Sequence, residues 1–120
     1  MMTQSLEDYL EAVYMLISTG RPAQVRDVAR SLSVKMPSVV KAVHELKRLG
    51  LVTQEPYANI ELTVRGRRVA KHVLSRHTLI RSFLLKLGVT ENTADRDACL
   101  MEHILSAETL DKIRTFTERQ

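Results

Sequence analysis

Glycine and proline cut this chain into short pieces, and their placement limits what it can fold into. Thr19-Gly20-Arg21-Pro22 ends a first amphipathic run, and Ser33-Val34-Lys35 separates two more. Gly50 and Gly88 each stand just past another run of helical periodicity. Glycine beyond a helix end and proline in a first turn are the punctuation of separate short helices. The apolar spacing agrees. Ser5 can cap a helix over 5–18 with Leu6, Leu10, Val13 and Ile17 on one stripe. A run over 25–32 would bury Val25, Val28, Ala29 and Leu32, and Pro37 suits the opening of a helix over 37–49.

Two β-like runs follow, 51–55 and 60–63, around Pro56-Tyr57-Ala58-Asn59, which is hairpin chemistry. Thr63 can cap a long helix to residue 87, buried through Val69, Val73, Leu74, His77, Ile80 and Leu84. Thr90 begins another helical segment, and Ser106 restarts one with Leu110, Ile113 and Phe116 inward. With no tryptophan and only three Tyr and two Phe among 120 residues, Leu, Val and Ile must build the core. The expected class is therefore mainly α.

Helix, tight turn, helix and hairpin is the order of a winged helix-turn-helix. Charge supports that reading. Residues 20–86 hold fourteen of the eighteen Lys and Arg but only four acids, a net of +10, while the flanks carry −6. A basic middle points to a polyanion partner. In the expected recognition helix Val39, Val43 and Leu46 face inward, leaving Pro37, Ser38, Lys41 and His44 for the major groove. Arg26, Lys35 and Lys47 suit phosphate contacts, and Tyr57 at the wing tip suits the minor groove or backbone. A three-helix core with merely soluble faces is the plainer alternative.

A second constellation stands near the end. Cys99, Glu102 and His103 fall at i, i+3 and i+4, one face of a helix. A thiolate, a carboxylate and an imidazole are a set of transition-metal ligands. Asp8 and Glu11 share an edge of the first helix, and His77 sits within the long helix's buried stripe. Each also has an ordinary explanation: solvated acids near a helix start, a hydrogen-bonded core histidine, a small buried apolar thiol. No His-Glu-x-x-His pattern, nucleophile–base pair or glycine-rich phosphate loop appears, so the chain reads as a regulator and not an enzyme. One cysteine allows no internal disulfide, and no apolar run spans a membrane, so a cytoplasmic location is expected.

Leu6-Glu7-Asp8-Tyr9-Leu10-Glu11, the winged helix, Arg76-His77, and Asp97 through His103 with Ser106 together resemble the DtxR/MntR family of metal-dependent repressors. The resemblance implies a winged helix-turn-helix domain over 1–72 and a metal-binding and dimerisation domain over 73–120, the short form without a C-terminal Src-homology-like domain. It implies metal ligands at Asp8, Glu11, His77, Cys99, Glu102 and His103: a main site from Asp8, Cys99, Glu102 and His103, and a second using Glu11 and His77 with Glu102 as a candidate third.

Asp8 and Glu11 are similar to the manganese branch and Cys99 to the iron branch. Positions that hold an ancillary ion in iron-type regulators are Arg81 and Asp95 here. The thiolate favours softer ions, so Fe(II) is expected first and Mn(II) second, with Co(II), Ni(II) or Zn(II) able to bind in vitro. The expected partners are double-stranded operator DNA and a second copy of the chain, through Leu84, Leu87, Ile104, Leu110, Ile113 and Phe116. No membrane and no organic substrate is expected. A winged-helix regulator that ignores metals and answers another ligand is the alternative.

Overall fold

The computed structural model describes residues 2–119 as α1 (Gln4–Ser18), α2 (Val25–Leu32), α3 (Met36–Arg48), β1 (Val52–Thr53), β2 (Glu61–Leu62), α4 (Val64–Lys86), α5 (Glu91–Met101) and α6 (Ala107–Arg119). The chain divides into two compact units, Met1–Lys71 and His72–Gln120, with α4 running from the first into the second.

In the first unit α1, α2 and α3 enclose Leu10, Val13, Val28, Val39, Val43 and Leu46, all at most 3% exposed. The helix stripes follow the apolar spacing, although Leu6, Ile17, Val25 and Leu32 are only half-buried at the edges. Thr3, not Ser5, caps α1: its side chain accepts from the Leu6 N–H at 3.2 Å. Both residues are good caps, and the helix takes the earlier one. The turn after α2 closes through Ser33, held in the left-handed region at φ 55°, with the Val34 N–H donating to Ala29 O at 3.0 Å. This is the tight turn that sets α3 against α2.

Helix α3 opens at Met36, one residue before the expected Pro37, and ends through Gly50 at φ +76°. There the Leu51 N–H reaches Leu46 O and the Gly50 N–H reaches Lys47 O, a Schellman closure that needs a left-handed residue. The strands are shorter than the expected 51–55 and 60–63. Only Val52 and Thr53 pair, antiparallel, with Leu62 and Glu61. The rest of the hairpin satisfies its backbone elsewhere: the Ile60 N–H donates to Ala23 O at 2.7 Å and the Ala58 N–H to Glu55 O. Tyr57 at the tip has φ 62° and is fully exposed.

Thr63 does cap α4, accepting from the Gly66 N–H at 2.9 Å while its hydroxyl donates to Gly50 O at 2.8 Å. Gly66 is required for a different reason. A Cβ there would lie 1.8 Å from Leu51 O, so only glycine lets α4 start this close to β1.

In the second unit the later part of α4, α5 and α6 bury Ile80, Leu84, Ala94, Ala98 and Leu110. Ala94 and Ala98 are both 0% exposed within this cluster. Phe116 is not inward as its spacing suggested. It is 47% exposed and meets Phe83 edge-on, with ring centroids 5.9 Å apart, beside a groove of about 490 Å³ lined also by Leu87 and Ile113. Leu84 and Leu110, expected at a dimer surface, are instead only 8% exposed inside this unit's own core. No helix among the described residues is long and apolar enough to cross a membrane.

Candidate metal centre and nucleic-acid interface

The second unit carries four of the six expected ligands: His77 on α4, Cys99 in the last turn of α5, and Glu102 and His103 just beyond it. Helix α5 stops at Met101, so the expected single helical face is partly a turn. Glu102 keeps helical angles and its N–H still reaches Ala98 O at 3.0 Å. The His103 N–H reaches back only three residues, to Leu100 O at 3.3 Å. This tightening is common at helix ends.

Glu102 is the centre of the cluster. It is 1% exposed. His77 Nδ1 lies 3.3 Å from its Oε2, and His103 Nε2 lies 3.4 Å from its Oε1. A carboxylate withdrawn from water costs several kcal/mol unless charge or hydrogen bonding compensates it. Two imidazoles, one beside each oxygen, flank it here. They also make the cluster a set of hard and borderline donors that fits a divalent transition ion. Cys99 is half-buried, one turn before Glu102. In the first unit Asp8 and Glu11 lie one turn apart on α1, both half-buried.

Sequence reasoning missed one part of this cluster. Asp95 of α5 forms an ion pair with Arg81 of α4, and the same carboxylate oxygen stands 4.0 Å from His77 Nε2. The available signal was the spacing of Arg81, one turn after His77 on the same face of α4.

Every expected DNA-contacting residue is at least partly exposed: Arg26, Lys35, Pro37, Ser38, Lys41, His44, Lys47 and Tyr57. Periodicity on α3 explains the middle of that group, because Val39, Val43 and Leu46 occupy its inner face. Ser38, Lys41 and His44 border a groove of about 470 Å³ whose floor includes Leu6 and Tyr9 of α1. Lys47 Nζ donates to Gln54 O at 3.4 Å and so braces the start of the hairpin. Farther along, Arg48 pairs with Glu45, and that hydrogen bond holds the Glu45 carboxyl below its ordinary range.

Known proteins match this arrangement along its length. Residues 1–60 match the iron dependent repressor N-terminal DNA binding domain, and residues 63–119 its metal binding and dimerisation domain. An HTH-type transcriptional regulator of Methanocaldococcus jannaschii is 42% identical over 120 residues, covering 98% of this chain and 96% of that protein. The transcriptional regulator MntR of Escherichia coli O6:H1 is 39% identical over 114 residues, covering 95% of this chain and 74% of that protein. Among solved structures, the manganese regulator SloR superposes with a TM-score of 0.86 at 28% identity, over 99% of this chain; the chain spans 56% of that longer protein. A regulator indifferent to metals finds no support among these matches. The chain belongs to the iron dependent repressor family of metal-dependent, DNA-binding transcriptional regulators.

Proposed function

We propose that this protein is a repressor of metal-ion homeostasis genes, binding operator DNA as a homodimer when a divalent cation is held by Asp8, Glu11, His77, Cys99, Glu102 and His103. The observation that carries it is the fully buried Glu102 carboxylate set between two imidazoles. A side chain so expensive to bury is best explained by a cationic ligand. A bound cation would supply positive charge that offsets repulsion among these carboxylates.

Asp8 and Glu11 belong to the unit that carries α3, and the other four ligands to the second unit. Sharing one ion would therefore couple the two and favour a DNA-competent arrangement over others, a population shift without direct contact between metal and DNA. Exposed Leu87, Ile113 at its edge and Phe116 form the self-association surface that would bring two recognition helices to successive major grooves, about 34 Å apart.

The Cys99 thiolate favours Fe(II), and the likeness to a solved manganese regulator makes Mn(II) the second candidate. Anaerobic electrophoretic shift assays with chelator, then with Fe(II) or Mn(II), test the proposal. Operator affinity should rise at least tenfold with metal. Equal affinity with and without it would sink the proposal. Metal analysis of anaerobically purified protein would identify the ion.

A further inference from the structure

We infer that Asp95 and Arg81 are positioning residues for His77, acting on the metal cluster through the imidazole nitrogen that faces away from it. The inference rests on the metal-binding reading above. Four contacts within the second unit form one row. Arg81 Nε pairs with Asp95 Oδ1, which lies 4.0 Å from His77 Nε2. His77 Nδ1 lies 3.3 Å from Glu102 Oε2, and Glu102 Oε1 lies 3.4 Å from His103 Nε2. The row alternates cation, carboxylate, imidazole, carboxylate, imidazole.

A neutral imidazole carries one N–H and one lone pair. The nitrogen turned toward Glu102 is Nδ1, so a cation shared with Glu102 needs that lone pair. The N–H must then be on Nε2, and the group facing Nε2 is the Asp95 carboxylate. A ligating histidine whose second nitrogen meets a carboxylate is held in ring orientation and made a better donor. At 4.0 Å the contact exceeds a hydrogen bond and works through charge; a displacement of about 1 Å would close it.

Arg81 supplies what Asp95 lacks. The Asp95 side chain is 53% exposed and would sample several rotamers alone. The guanidinium, on the same face of α4 as His77, fixes its Oδ1. As an isolated surface ion pair this contact is worth little to folding. Its consequence should therefore appear in metal affinity and not in stability.

The test is Zn(II) affinity of the full chain, measured by competition with a chromophoric chelator, together with melting of the metal-free protein. Asp95→Ala should weaken Zn(II) binding about tenfold, and Arg81→Ala should weaken it by less. Asp95→Asn, which keeps an acceptor, should recover part of the loss. All three should melt within a few degrees of the parent. The deciding comparison is a double-mutant cycle: in a His77→Ala background, Asp95→Ala should have no further effect. An Asp95→Ala affinity within twofold of the parent, or an equal loss with and without His77, would overturn the inference. If the parent takes up no Zn(II), or Glu102→Ala binds as well as the parent, the metal reading itself fails.

Discussion

Glu102 and His77, twenty-five positions apart and on different elements, meet with the carboxylate Oε2 3.3 Å from the imidazole Nδ1. This contact joins α4 to the turn that ends α5, and it places the least exposed acid of the cluster against a ring that could share a cation with it. Glu102→Gln keeps the shape of the side chain and removes its charge. We expect it to abolish metal-stimulated operator binding while the circular dichroism spectrum stays that of the parent. Retained stimulation would show that the cluster is only a structural ion pair.

Cys99 is the softest donor in the expected ligand set, so it should govern which ion is preferred. Cys99→Asp replaces the thiolate with a hard oxygen donor. The ratio of Mn(II) to Co(II) affinity, measured by titration, should rise by about tenfold or more. An unchanged ratio would remove Cys99 from the ligand set.

On the DNA side, positioning and reading residues should separate in salt dependence. Arg26→Ala should lower the slope of log affinity against log salt by about 0.9 and weaken all duplexes alike. Ser38→Ala or Lys41→Ala should instead reduce discrimination between operator and altered sites, by about 1–3 kcal/mol for each base that is no longer read. Equal reductions on operator and random duplex for Ser38→Ala and Lys41→Ala would mean that neither residue reads bases.

Gly66 offers a test of packing. The methyl group of Gly66→Ala would overlap Leu51 O, a backbone atom that cannot rotate away. The substitution should cost about 3 kcal/mol or more, read as a drop in urea midpoint. A variant as stable as the parent would mean that α4 can start farther from β1.

The pH response of the Glu45–Arg48 pair has a definite sign. Arg48 lowers the folded-state pKa of Glu45, chiefly by hydrogen bonding, so the pair's contribution is present above the ordinary carboxylate range and is lost as pH falls through the lowered value. Both groups are exposed to solvent, which keeps the contribution small. Arg48→Ala should move the Glu45 titration, followed by carbon NMR, upward toward its ordinary value. No upward movement would mean that the pair does not persist in solution.

Local sequence determined the punctuation of this protein and which faces its helices bury. Thr63, Gly50 and Ser106 each punctuate a helix through groups within a few residues, whatever else they touch: Thr63 and Ser106 accept the first-turn N–H groups of α4 and α6, and Gly50 closes α3. Periodicity likewise separated Val39, Val43 and Leu46 from Ser38, Lys41 and His44, because a helix repeats its faces regardless of what covers them. The family, and with it the metal-dependent regulator, was legible in motif order.

Tertiary packing decided the rest. That Phe116 stays exposed, that only two residues per strand pair, and that Gly66 must lack a side chain all depend on surfaces distant in the chain. The same holds for the cluster. Cys99, Glu102 and His103 were visible as a spacing, but spacing assigns no burial and no partner. Only the packing of α5 against α4 sets Glu102 between His77 and His103 and turns Asp95 toward Arg81.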